Sequence, residues 1–110
     1  MIYIASPYTH HNLDVMTSRY EAVLHYAGRL KSAGIPCFSP IAYGHEFFIR
    51  GYTPPYFTFW QSFNDHMILA SSEVVVLTLP GYNESVGVQH EIEFARKNNM
   101  PVRFVANEDF

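Results

Sequence analysis

Apolar residues recur along this chain with two distinct periods. Ile2-Tyr3-Ile4-Ala5 is a short unbroken apolar run. It predicts a buried first strand that ends at Ser6-Pro7, because Pro7 cannot donate a ladder hydrogen bond. From Asn12 onward the period changes. Leu13, Met16, Tyr20, Val23, Leu24, Ala27 and Leu30 follow at helical spacing, with Asn12 as N-cap and Gly34-Ile35-Pro36 as the stop.

The stretch IPCFSPI predicts a second short strand ending at Pro40. The following IAYGHEFFIRGYTPPYF is broken by Gly44, Gly51 and Pro54-Pro55, and reads as an irregular, aromatic-rich wall or lid. TFWQSFNDHMILASSE restores the helical period, with Trp60, Phe63, Asn64, Met67, Ile68 and Ser71 as its inward stripe and Asp65 beside it. EVVVLTLPGY is a β-branched run of the kind buried on both faces of a sheet, ended by Pro80-Gly81. A helix over NESVGVQHEIEFARK and a last strand over PVRFVA follow, and Asn107 to Phe110 is left as a short tail.

The order β-α-β-(loop)-α-β-α-β implies one parallel sheet with right-handed crossovers, a three-layer, flavodoxin-like (Rossmann-like) α/β fold over residues 1–110. Sites in such sheets form beyond the carboxyl ends of the strands, at a switch point. Three segments are expected to meet there: Ser6-Pro7-Tyr8, the His45 region, and Pro80 to Gly87.

Composition narrows the function classes. Hydrophobic residues make up 48% and charged residues 15%, so the chain is globular and not disordered. Eight Tyr, nine Phe and one Trp exceed what a core of this size needs, which points to a pocket or subunit interface as well. The net charge of -3 and the absence of a Lys/Arg cluster argue against a nucleic-acid polymer as partner. Cys37 stands alone, so no internal disulfide can form, and without a secretory signal a cytoplasmic location is expected. No apolar run reaches membrane length, so no membrane partner is expected.

Gly-x-Gly-x-x-Gly, a Walker loop and Gly-x-Ser-x-Gly are all absent. His90-Glu91 and His45-Glu46 each begin like HExxH, but Phe94 and Ile49 replace the closing His. The six His match no standard ligand spacing, so neither metal nor cofactor is expected.

Ser85-Val86-Gly87 opens the third predicted helix. One reading is capping, with Ser85 satisfying a free N–H and Gly87 relieving crowding. In the other, Gly87 admits a ligand whose phosphate or hydroxyl meets free N–H groups and the helix dipole. Glu91, four residues on, lies on nearly the same face, and its side chain leans back toward the helix mouth. It borders the stripe of Val88, Ile92 and Ala95, whereas Glu93 reads as a surface charge. Asp65 alone would be a solvated acid. Tyr3, in the first strand, needs a hydrogen-bond partner for its hydroxyl if buried, and a carboxylate at the cleft would supply one.

Together, Tyr3 in IYIASPY, Asp65 in NDHMILASSEVVV, and Ser85, Gly87 and Glu91 in ESVGVQHE resemble the nucleoside 2-deoxyribosyltransferase superfamily, which includes deoxynucleoside 5'-monophosphate N-glycosidases. The resemblance spans nearly the whole chain and is closest to small bacterial and phage members. It departs at the first loop, where Ser6-Pro7-Tyr8-Thr9-His10-His11 replaces a Gly-rich, Arg-containing loop.

The resemblance implies cleavage or transfer at an N-glycosidic bond of a (deoxy)nucleoside or its 5'-monophosphate. Glu91, ionised near neutral pH, would attack the anomeric carbon, and Asp65 would protonate or orient the departing base. Such carboxylate pairs lie ~5–5.5 Å apart in retaining glycosidases. Tyr3 would hold Glu91, and Tyr8, Tyr43 and Phe47 could stack on the base. His45 would contact base or sugar; Ser6, Ser85 and Gly87 complete the expected substrate contacts. A homo-oligomer, dimer or higher, is implied too. The rival readings are a non-catalytic nucleotide binder on the same fold, and a scaffold whose aromatic segment is an interface.

Overall fold

The apolar runs become the strands of a single sheet. The computed structural model describes residues 1–109 of the 110-residue chain. Strands β1 (Ile2–Ala5), β2 (Cys37–Phe38), β3 (Glu73–Leu77) and β4 (Val102–Val105) are all parallel, in the order β2-β1-β3-β4. Helices α1 (Leu13–Ser32), α2 (Pro40–Ile49), α3 (Phe57–Leu69) and α4 (Val86–Lys97) flank them. The result is the expected three-layer flavodoxin-like α/β arrangement.

Alternation along the strands divides the core in two. Ile4, Val75 and Leu77 face Val23, Tyr26 and Ala27 of α1. Tyr3, Ala5, Val74 and Val76 face the other way, onto Ile68 of α3 and Val88, Ile92 and Ala95 of α4. Register pairs Tyr3 with Val74 and Ala5 with Val76, so this second face is continuous across β1 and β3. Ile68 is fully buried in it. Truncation of such a residue to Ala costs roughly 2–5 kcal/mol.

The caps explain where α1 and α4 begin. The Asn12 side chain accepts from Asp14 N at 2.8 Å, and α1 ends before Gly34 at φ 76°. Ser85 accepts from Val88 N at 3.2 Å and starts α4. Within α1 the predicted stripe is imperfect: Leu13 and Leu24 are exposed, whereas Tyr26, outside it, is buried. On α3, Asn64 and Ile68 are buried as expected, but Phe63 is exposed and stacks on Tyr43, with ring centroids 5.6 Å apart.

The segment expected to be irregular is largely the helix α2. Ser39 accepts from Ala42 N at 3.0 Å, and Pro40 occupies the first turn, where its missing N–H is harmless. The same Pro40 that stops β2 therefore starts α2. Gly44 sits inside this helix because a Cβ there would lie 3.2 Å from the Trp60 indole of α3. Of the tail read from Asn107 to Phe110, Asn107–Asp109 forms one 3-10 turn, and Phe110 lies outside the described residues.

Among the described residues no helix is long and apolar enough to cross a membrane. The strand order changes direction at β1 and β3: β2 lies to one side and β4 to the other. A crevice is expected above their carboxyl ends.

Candidate functional site

Tyr3 anchors the site from below. Its side chain is fully buried on the α3/α4 face of β1, and its phenol donates to Glu91 Oε2. Burial pushes the Tyr3 hydroxyl well above its usual range, and the neighbouring Glu91 and Asp65 charges push the same way. It therefore stays a donor.

Glu91 is only 4% exposed, although charged residues are almost never buried without a partner. Its place on α4, one turn after Gly87 and between Val88 and Ile92, brings its carboxyl to the floor of a cleft. Burial raises its pKa to about 8; the Tyr3 hydrogen bond lowers it in part, and the charge of Asp65 adds to the rise. The shift favours the protonated carboxyl near neutral pH, against the ionised carboxylate that the resemblance implies.

The cleft encloses about 500 Å³ and opens above β1 and β3. That volume suits a small organic ligand. Ser6 and Tyr8 come from the loop after β1; Glu84, Ser85 and Gly87 come from the loop before α4 and its first turn. Gly44 and Phe48 of α2 form one wall, and Tyr56, Phe57 and Trp60 form another at the start of α3. Among the described residues no Lys, Arg or His side chain lines it. Asn64, one turn into α3 from Trp60, is buried and lines the cleft too.

Two lining residues are unusual. Ser6 Oγ and Asn64 Oδ1 are buried with no hydrogen-bond partner among the described residues. Buried polar groups nearly always have one.

The expected segments thus meet, but the expected side chains divide. Ser6, Tyr8, Ser85, Gly87 and Glu91 line the cleft, and Tyr3 supports Glu91 from behind. His45 stands behind Tyr8 and not among the lining residues: its Nδ1 lies 2.6 Å from the Tyr8 hydroxyl, and its ring stacks on Tyr20 of α1 at 3.9 Å. Burial lowers the His45 pKa, which favours the neutral ring. Burial, with Tyr20 adding to it, raises Tyr8 to about 12. Tyr43 and Phe47 lie outside the cleft, in an exposed aromatic group with Phe63; Phe48, Phe57 and Trp60 line it instead.

Asp65 also stands apart. It does not line the cleft but a shallow groove beside it, and His90 Nε2 of α4 holds its Oδ1 at 2.9 Å. Its influence on Glu91 is electrostatic.

Gly87 has a structural reason as well as an open one. A Cβ there would lie 3.2 Å from the Phe57 ring, so the glycine lets α3 and α4 approach. The first loop and the loop after β3 are tied by Arg19 of α1, whose guanidinium donates to the carbonyls of Thr9 and Pro80, both at 3.2 Å. Sequence reasoning missed Asn64 as a site residue. The signal was a polar side chain inside an otherwise apolar inward stripe. Among the described residues no three His, Cys, Asp or Glu side chains cluster as a metal site would require.

Residues 1–107 match the family described as "Domain of unknown function (DUF1937)", and the chain belongs to it. A search of the curated proteins finds no match.

Proposed function

We propose that the protein cleaves, or transfers the sugar of, an N-glycosidic bond in a nucleoside-like substrate, with Glu91 as nucleophile. The carrying observation is a buried glutamate on the floor of an aromatic cleft, held by a tyrosine from the neighbouring strand. A carboxylate so placed can attack an anomeric carbon, and its hydrogen bond fixes the attacking oxygen. Phe48, Phe57 and Trp60 offer faces for a base. Ser6 and Asn64 offer buried polar atoms for sugar or base groups. Tyr3 and Asp65 act through Glu91 as positioning residues, one holding it and one opposing its charge. In this reading the chain works as a homo-oligomer in the cytoplasm, with the exposed Tyr43, Phe47, Phe59 and Phe63 supporting a subunit contact.

The absence of cationic side chains among the described lining residues and the presence of Glu84 at the mouth of α4 favour a 5'-hydroxyl over a 5'-phosphate. A second reading, a non-catalytic binder on the same fold, is favoured by the raised pKa of Glu91. Product analysis separates the two. Incubation with a panel of deoxynucleosides and their 5'-monophosphates should release free base, and Glu91→Gln should abolish the release. Binding without any release would select the binder.

A further inference from the structure

The lining of the cleft has a charge bias. Glu84 and Glu91 line it, and among the described residues no Lys, Arg or His does. Arg19, the nearby guanidinium, is held by the carbonyls of Thr9 and Pro80 outside it. The first turn of α4 is the cleft's positive end, but Ser85 already occupies the Val88 N–H, and Glu84 precedes it in the chain. Aromatic side chains line the walls: Tyr8, Phe48, Tyr56, Phe57 and Trp60. Asn64 Oδ1, an acceptor, and Ser6 Oγ have no partner among the described residues, and both residues are more than nine-tenths buried. Acidic groups, aromatic rings and an unpaired acceptor are together the chemistry that receives an organic cation with N–H or O–H donors.

We propose that the cleft takes a cationic ligand, a pentoside whose glycosidic nitrogen is quaternary, as in a pyridinium riboside. This rests on the glycosidase reading for its chemistry, though not for its charge preference. Such a leaving group also fits the position of Asp65, which is held by His90 away from the cleft. A neutral base needs a proton as it departs; a quaternary one does not. A Glu91 carboxylate oxygen forms a bond to the anomeric carbon as the carbon–nitrogen bond breaks. The electron pair of that bond goes to the ring nitrogen, and the pyridinium leaves as a neutral pyridine. Water then adds at the anomeric carbon, frees the sugar, restores the carboxylate and releases one proton.

The cation also prepares the nucleophile. The titratable groups that face Glu91 are Tyr3 from β1, a neutral donor, and Asp65 from α3, the latter paired with His90 of α4. None is a cation in contact with Glu91. A bound cation would supply that charge, ionise the carboxyl and expel its proton.

Two uncleavable isosteres test the charge: 1-methylnicotinamide, a cation, and 3-methylbenzamide, its neutral counterpart. Calorimetry near pH 7 in buffers of different ionisation enthalpy should show the cation binding more than about tenfold tighter. It should release about one proton per ligand, whereas the neutral compound releases none. Both differences should vanish in Glu91→Gln, with folding checked by circular dichroism and thermal unfolding. Equal binding of the pair, failure of both to bind, or tighter binding of nicotinamide riboside 5'-monophosphate than of nicotinamide riboside would overturn the proposal. Cleavage runs in parallel. Glu91-dependent release of base from neutral deoxynucleosides, with the isosteres bound equally, removes the cation proposal and keeps the glycosidase. A cation preference with no N-glycoside cleaved keeps the proposal and removes the glycosidase.

Discussion

Tyr3 of β1 donates its phenolic hydrogen to Glu91 of α4, joining two residues 88 positions apart beneath the cleft. Both side chains are buried, and each changes the acidity of the other. The pair exists because Tyr3 faces the α3/α4 side of the sheet and α4 turns Glu91 down onto that side. A glutamate in this position is costly to ionise.

Replacement of that carboxyl by an amide separates chemistry from packing. Glu91→Gln keeps the volume and can still accept from Tyr3. Base release should fall by roughly a thousandfold or more, as expected when a nucleophile is lost. Thermal unfolding near neutral pH should be unchanged or shifted upward. Normal turnover in this variant would remove Glu91 from the mechanism.

The same residue makes stability depend on pH. In the unfolded chain a glutamate titrates near ~4.3, whereas in the folded protein Glu91 titrates at about 8. Between these values the folded state holds the proton and the unfolded state does not. The contribution is therefore complete below the unfolded value and is lost as pH rises through about 8. Its size is of order 3–5 kcal/mol. Denaturant unfolding from pH 4 to 9 should show wild-type stability falling relative to Glu91→Gln across that window. Parallel curves for the two proteins would contradict a buried, protonated Glu91.

Tyr3 and Asp65 act on Glu91 in opposite directions. The Tyr3 hydrogen bond lowers its pKa, and the Asp65 charge raises it. Tyr3→Phe should move the alkaline-rising limb of kcat/KM to higher pH and reduce activity at pH 7 by roughly ten- to a hundredfold. Asp65→Asn should move the same limb to lower pH. A large loss of kcat in Asp65→Asn with no shift of the limb would instead make Asp65 the acid that meets the leaving group.

Much of this arrangement could be read from the sequence, because β1 and β3 are unbroken apolar runs and α1 and α4 carry the 3.6 period. The parallel sheet follows from strands that alternate with helices. Glu91 was legible from its spacing to Ser85 and Gly87. Helix α2 was not, since Pro40 marks both the end of a strand and the start of a helix, and Gly44 looks like a breaker until Trp60 is seen packed against it. The distance of Asp65 from the cleft was also hidden. A helix stripe fixes a residue's side of the helix, but not whether a histidine on the next helix claims it.

Gly87 tests whether the mouth of α4 serves packing, ligand or both. A Cβ at this position meets the Phe57 ring at 3.2 Å, tighter than ordinary contact. Gly87→Ala should therefore destabilise through overpacking by about 1–3 kcal/mol, partly offset by the better helix propensity of Ala. Phe57 is half-buried and can be trimmed. In the Gly87→Ala, Phe57→Leu double variant the smaller side chain should relieve the contact, so the two stability changes should couple favourably in a double-mutant cycle. Ligand binding need not follow stability. If Gly87 also admits the ligand, the double variant should regain stability while its affinity stays at least about tenfold below wild type, because the added methyl still stands at the mouth. Phe57→Leu alone supplies the control for lost stacking. Recovery of both stability and affinity in the double variant would reduce Gly87 to a packing glycine and move ligand recognition to Ser6, Asn64 and the aromatic walls.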